Sequence, residues 1–281
     1  MPYDKKSFLA GVALGRQLKG WATGGALPGP TPQPGILPEI VAAGLVRYYD
    51  AARNDGVSYN RTVSTWKDLA GYRDGVISQA TWSTTYKSLV FTGGLSQRVA
   101  SELILSFLPI TLEACFTFDR TTYLYPPFWY NVWGCASWYN GPTGGGIEVP
   151  TDNNKGFLSV GCALRKNSSW DWYNSNTRFQ GTVNSIYHVA LTVTTEITLT
   201  QYIQGTKVWS ELFSGFEPVM YSPMYIGANP DESGRVHSGN VFSVRAYNRV
   251  LSDAEIVNNA QHDLLVYSAG LEPAPWNSLY I

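Results

Sequence analysis

The sequence predicts an all-β chain: a two-sheet antiparallel jelly-roll sandwich behind a short N-terminal helix and a proline-rich linker. Three observations point there. Alternation of strand type recurs along the chain with turn residues between, as at Thr111–Phe118 and His188–Val193. No long helical period competes with it. The last alternating run, Phe242 to Tyr247, leads into a capped helix rather than another strand. A single all-β domain of about 200–250 residues plus a short appendage fits a chain of 281 residues. A domain of that size buries a sizeable core without disulfides.

The first element is a short helix over about residues 5–19. Phe8, Val12 and Gly15 share one stripe, and Ala10, Leu14 and Leu18 a neighbouring one. Gly11, Gly15 and Gly20 weaken it, each costing about 1 kcal/mol relative to Ala. Such a segment needs a partner surface to become ordered. Residues 1–25 therefore read as a docking peptide, with Phe8, Leu9, Val12, Leu14, Leu18 and Trp21 as its apolar contacts. Arg16 and Lys19 close the apolar run without a small-x-small cleavage site, which argues against an export signal. The run is also too short to span a membrane. Residues 26–39 follow as a linker, in which five prolines between Pro28 and Pro38 favour an extended, semi-rigid spacer.

The sandwich is placed at residues 40–268. Leu112, Ala114, Phe116 and Phe118 alternate with Thr111, Glu113, Cys115 and Thr117. Val189, Leu191 and Val193 alternate with His188, Ala190 and Thr192. The stretch Gln201–Val208 reads as a hairpin turning at Gln204-Gly205, where Gly supplies a positive φ. Phe242, Val244 and Ala246 alternate with Ser243, Arg245 and Tyr247, the pattern of a half-buried strand. Ser252 and Glu255 have capping-box spacing, and Leu251 and Ile256 that of a hydrophobic staple, so a helix begins near Asp253. Residues 269–281 form a tail too short to be a domain.

The string Arg245–His262 resembles the closing strand and helix of laminin-G-like, concanavalin A-like lectin/glucanase domains. Other pieces follow that family's order. Gly44-Leu-Val-Arg-Tyr-Tyr-Asp50 looks like its opening strand, and Thr65-Trp-Lys-Asp-Leu-Ala-Gly71 like its tryptophan-aspartate turn. Ser88-Leu-Val-Phe-Thr-Gly-Gly94 resembles its next strand and turn, with Thr92 where the family commonly has Asp. Ile110–Phe118 looks like its core strand, and Met224-Tyr-Ile-Gly-Ala-Asn229 like another of its strands. The resemblance implies a concanavalin A-like sandwich that binds glycan or protein, and only in some members an enzyme. Separately, Ser7–Trp21 resembles the leader of small structural proteins of phages and prophages of Gram-positive bacteria.

Charge and cysteine content narrow the function. The formal net charge is −1 with cations spread along the chain, so no nucleic-acid partner is expected. Cys115, Cys135 and Cys162 are widely spaced and make neither a disulfide framework nor a zinc pattern. They read as buried thiols of a protein made in a reducing cytosol. No cofactor is required by any motif. Calcium is the one metal that the oxygen-rich loops Asp50–Asp55, 151–154 and 229–232 could take, but Asn, Asp and Gly are what turns use anyway.

Half of the ten tryptophans fall in residues 129–172. Two segments there, Ser137–Pro142 and Ser169–Asn174, mix aromatics with Asn, Asp and Gly and read as loops on one rim. Trp138, Tyr139, Trp170 and Trp172, with Asn140 and Asn174, are therefore the candidate glycan-binding residues. Sugar C–H faces stack on aromatic rings while amides bind hydroxyls. The same rings also suit a core or a subunit interface. Catalysis has less support. A strand with alternate carboxylates spaced for acid and nucleophile is missing, since Glu113 stands alone on its strand and Glu148 lies in a Gly/Pro-rich loop. His188 and His237 have no nucleophile motif beside them.

The expectation is a non-enzymatic virion accessory protein of fibre, tail or decoration type. It joins phage structural proteins through residues 1–38 and displays an oligomeric lectin-like sandwich to host surface polysaccharide or glycoprotein. It would be made in the bacterial cytoplasm and exposed on the released particle. The alternatives are a decoration protein without ligand and a glycan hydrolase.

Overall fold

The computed structural model of the protein describes residues 37–94, 96–104, 108–119, 129–135, 146–150, 157–158, 161–166, 169–174, 179–180, 184–213, 223–227 and 236–269, all within one unit, Leu37–Ile281. The docking peptide with Phe8, Leu9, Val12, Leu14, Leu18 and Trp21, and most of the linker, lie outside them. The strands are β1 (Leu45–Asp50), β2 (Thr65–Trp66), β3 (Gly75–Ser78), β4 (Thr81–Trp82), β5 (Leu89–Thr92), β6 (Arg98–Ile104) and β7 (Ile110–Phe116). They continue as β8 (Trp129–Cys135), β9 (Gly146–Pro150), β10 (Phe157–Leu158), β11 (Gly161–Lys166), β12 (Ser169–Asn174) and β13 (Phe179–Gln180). The last are β14 (Tyr187–Val193), β15 (Thr198–Ile203), β16 (Thr206–Leu212), β17 (Pro223–Ile226) and β18 (Ser238–Tyr247), followed by one helix, α1 (Asp253–Ala269).

Two antiparallel sheets form the sandwich. The larger runs β16-β15-β14-β7-β18-β5-β4, with β1 also on β18; the smaller runs β2-β3-β6-β17-β8-β9. β18 is long enough to hold two partners end to end on one edge. Ser238–Val241 pair with β5, and Ser243–Tyr247 with β1. The hairpin turn at Gln204-Gly205 has positive φ at both residues (53° and 74°), as a primed two-residue turn between β15 and β16 requires.

The core between the sheets takes one face of each central strand. Leu112, Ala114 and Phe116 of β7 meet Val189, Leu191 and Val193 of β14 and Val241, Val244 and Ala246 of β18. Trp66 is fully buried, edge-on to Trp82 with ring centroids 5.4 Å apart and tilted against Tyr49 at 5.7 Å. Burial of each such ring stabilises the fold by about 2–3 kcal/mol. The turn that follows Trp66 is organised by Asp68. Its carboxylate accepts from the amides of Tyr48 and Ala70 at 3.0 Å, Tyr72 at 3.2 Å and Arg73 at 3.0 Å.

One expectation needs correction. The alternation in β18 reads as half-buried, yet β18, like its neighbour β7, is buried on both faces. α1 covers the outer face, so the polar positions of the alternation face a helix rather than water.

Candidate functional site

Ionisable side chains concentrate beneath α1. β7 contributes Glu113, β14 His188, β18 Ser243 and Arg245, and α1 Asn259 and Asp263, which lie one turn apart. Arg245 Nε donates to Glu113 Oε2 at 2.8 Å, and its terminal nitrogens grip Asp263 bidentately, Nη1 to Oδ1 at 2.9 Å. Asn259 Nδ2 donates to Glu113 Oε2 and to the Tyr247 hydroxyl, both at 2.9 Å. Ser243 Oγ donates to Asp263 Oδ2 at 2.9 Å. Burial pushes the Glu113 carboxyl up to about 7, against the pull of Arg245, and lowers His188 to about 3. Arg245 stays charged despite its burial because Asp263 and Glu113 flank it.

These are the residue types of acid–base catalysis. Glu113, His188, Arg245 and Asp263 are, however, all fully buried and held in hydrogen bonds or ion contacts with one another. Cys115, also on this face of β7, is a buried free thiol. The cluster ties helix to sheet. Sequence reasoning missed it. The available signal was the polar spacing Asn259, Asp263, Tyr267 at intervals of four, which places three hydrogen-bonding groups on one helical face.

The first oxygen-rich loop is likewise occupied. Asp50 accepts from the Ala52 amide at 2.8 Å, Arg53 Nε at 2.8 Å, and the hydroxyls of Tyr48 and Tyr267. Asp55 accepts from the Val57 and Ser58 amides at 2.8 and 2.6 Å. Among the described residues no group of His, Cys, Asp and Glu is arranged to hold a metal ion. The loops 151–154 and 229–232 lie outside the described residues, 229–232 entirely and 151–154 likewise.

Of the candidate glycan-binding residues, Trp138, Tyr139 and Asn140 lie outside the described residues. Trp170, Trp172 and Asn174 do not sit in a loop, as their composition suggests, but on strand β12. β12 pairs with β11 from Lys166↔Ser169 to Gly161↔Asn174 without a register shift. Strand periodicity then puts Trp170, Trp172 and Asn174 on one face, opposite Arg165, Ala163 and Gly161. The ladder belongs to neither large sheet. β10 and β13 pair as Phe157↔Gln180 and Leu158↔Phe179, so these four strands, nested in chain order, make an antiparallel arm. The arm lies against β9, whose ladder partner β8 carries Trp129 and Trp133. Two aromatic positions about 7 Å apart along one strand have the spacing of a stacking platform. Asn/Asp/Ser content concealed this strand, since those residues usually mark turns.

Among the described residues, no helix is long and apolar enough to cross a membrane. The family model for the concanavalin A-like lectin/glucanases superfamily, of laminin G type, matches residues 111–257. No curated protein matches the chain. Among solved structures, Trypanosoma rangeli sialidase in complex with sialic acid is similar at a TM-score of 0.57 and 18% identity, over 86% of this chain and 37% of that one. The crystal structure of an HCR/D mutant is similar at a TM-score of 0.57 and 13% identity, over 79% of this chain and 52% of that one. The chain thus spans under two thirds of either structure, and at these identities the likeness is one of fold. With the family match covering just over half of the chain, from β7 through the cap of α1, the protein belongs to the concanavalin A-like lectin/glucanase superfamily.

Proposed function

We propose that the protein is a non-catalytic glycan-binding module that a bacteriophage particle displays to host surface polysaccharide or glycoprotein. The observation that carries the reading is the β11–β12 ladder, which sets Trp170, Trp172 and Asn174 on one face of an arm on a lectin-type sandwich. Aromatic faces take the apolar face of a sugar, and an amide takes its hydroxyls. Sealing of Glu113, Asp263 and Asp50 within ion pairs supports binding over hydrolysis. Residues 1–38 are the proposed attachment to phage structural proteins, on the strength of the leader's resemblance.

A single site of this kind has a Kd near 1 mM, about −4 kcal/mol. Many copies on one particle make such a site effective through raised local concentration. The test is a glycan array probed with the multimerised protein, alongside Trp170→Ala and Trp172→Ala. The reading expects binding to a surface glycan and a loss of about two- to tenfold in each variant, the effect of removing a stacked ring. Absence of binding, or full binding by both variants, moves the protein to a decoration role without ligand.

A further inference from the structure

We propose that the cluster beneath α1 holds one proton, carried on Glu113 Oε1 and donated to His188 Nε2, and that its loss lets α1 lift together with residues 38–41. The helix is a proton-sensitive latch on the point where the chain enters the sandwich. The device is independent of any glycan site.

The balance of buried charge is the first support. Among the described residues, four carboxylates are buried, Asp50, Asp68, Glu113 and Asp263, against three guanidiniums, Arg47, Arg53 and Arg245. Arg53 pairs with Asp50 at 2.6 Å, Arg47 lies 3.7 Å from Asp68, and Arg245 grips Asp263 with both terminal nitrogens. Glu113 is left with Arg245 Nε, so the buried set is one positive charge short. An unpaired charge out of water is expensive, and such a group neutralises by taking up a proton. Geometry marks where the proton goes. Glu113 Oε2 is occupied, since it accepts from Arg245 Nε at 2.8 Å and from Asn259 Nδ2 at 2.9 Å. Among the described residues, Oε1 and both ring nitrogens of His188 are buried without a hydrogen-bond partner, and Oε1 lies 3.6 Å from Nε2. A proton on Oε1 makes it a donor to Nε2 and satisfies both atoms once they close to hydrogen-bond distance. No neighbour competes for it. Asp263 Oδ2, 3.9 Å from Nε2, already binds Arg245 and Ser243. Cys115 stands opposite His188 in register, and burial keeps its thiol protonated, as it does the hydroxyls of Tyr48, Tyr247 and Tyr267. Burial likewise favours neutral His188 and His262 and a protonated Glu113.

The path from Glu113 to the chain entry is the second support. Asn259 joins the two: its Nδ2 donates to Glu113 Oε2 while its Oδ1 accepts from the Val41 amide at 3.0 Å. Asn258 Nδ2 donates to the Glu39 carbonyl, and His262 Nδ1 to the Pro38 carbonyl at 2.6 Å. α1 therefore covers Glu113 and grips residues 38–41 at once. When Glu113 ionises, water relieves the buried charge only if the cover opens. β7, β14 and β18 are tied to one another by backbone ladders, whereas α1 is held to them by side chains. The helix is the element that can move. A purely structural tether between helix and sheet would open without regard to the proton on Glu113.

The test is amide hydrogen exchange of the full chain by NMR, wild type beside Glu113→Gln, with the carboxyl carbon shift of Glu113 reporting the proton itself. Glu113→Gln keeps the shape of the protonated acid and cannot ionise. The α1 and Val41 amides should open together, at a lower free energy than those of β7 and β14. Their protection in wild type relative to the variant should fall at least about tenfold from about pH 5 to about pH 8, a ratio in which the histidines common to both proteins cancel. The Glu113 carboxyl should be protonated at the lower pH and ionise within that interval. The carboxyl shift and the order of opening are read in wild type alone, so they decide the matter even if Glu113→Gln fails to fold. A Glu113 carboxyl already ionised at the lower pH overturns the shared proton. Helix amides that open only together with the sheet, or a protection ratio that does not change with pH, overturn the latch.

Discussion

Glu113 on β7 and Arg245 on β18 stand opposite each other in register, and Arg245 Nε donates to Glu113 Oε2 at 2.8 Å. The other carboxylate oxygen, Oε1, has no hydrogen-bond partner and lies 3.6 Å from His188 Nε2, which has none either. The pair therefore sits at the centre of the helix–sheet contact with one acceptor unsatisfied.

That arrangement makes stability depend on pH in two opposing ways. Burial raises Glu113 from 4.5 to about 7, so its contribution is fully present below about pH 4.5 and lost as pH rises through 7. Burial lowers His188 from 6.5 to about 3 and His237 to about 4, and lowers His262 as well. Their contributions are present above pH 6.5 and lost as pH falls toward those values. Between about pH 4.5 and 6.5 the carboxyl offsets the histidines. Glu113→Gln removes the offset, and the slope of unfolding free energy with pH should steepen by up to about 1.4 kcal/mol per pH unit. Urea unfolding of both proteins across this window measures it. Parallel curves would mean that Glu113 does not titrate there.

The cap of α1 closes as a reciprocal pair. Ser252 Oγ accepts from the Glu255 amide at 3.3 Å, and Glu255 Oε2 accepts from the Ser252 amide at 2.8 Å. Arg249 holds the same carboxylate at 3.0 Å through Nη1. Ser252→Ala should cost about 1 kcal/mol. A thermal or urea midpoint that does not move would show that Arg249 and the Leu251–Ile256 staple hold the helix start without the hydroxyl.

Phe91 and Gly227 come from two separate segments of the family pattern and meet in the core. Gly227 has φ +92°, and a Cβ there would penetrate the Phe91 ring. Gly227→Ala should therefore cost about 3 kcal/mol, from the left-handed backbone and from overpacking together. Chemical denaturation decides it. A loss below about 0.5 kcal/mol, the range of an innocuous surface change, would contradict the packing.

Local spacing made much of the fold legible. Trp66 with Asp68, Gln204 with Gly205, and Ser252 with Glu255 each act within a few residues, so sequence distance equals structural distance. The polar cluster was not legible in this way. Glu113, Arg245 and Asp263 are brought together only by strand order, and a polar residue at alternate strand positions looks solvent-facing until a helix covers it. The Trp170–Asn174 strand was hidden for another reason. Neither of its faces is uniformly apolar, so the alternation that betrays a core strand is missing. Its residue identities pointed to sugar chemistry all the same.

Removal of residues 1–25 should leave the sandwich folded with an unchanged melting temperature and abolish the proposed attachment to a phage particle. The body closes its own start: Val41 N donates to Asn259 Oδ1 at 3.0 Å, and Asn258 Nδ2 donates to the Glu39 carbonyl. Co-sedimentation of the truncated protein with particles checks attachment. Normal incorporation would refute the docking role.

The central claim is that the arm holds sugar without cleaving it. Saturation-transfer NMR on an array-positive oligosaccharide addresses both halves in one sample. The account predicts saturation of the sugar ring protons, its loss in the Trp170→Ala, Trp172→Ala double variant, and an anomeric region unchanged after a day of incubation. No saturation with the intact protein, or new reducing-end signals over that day, would contradict it.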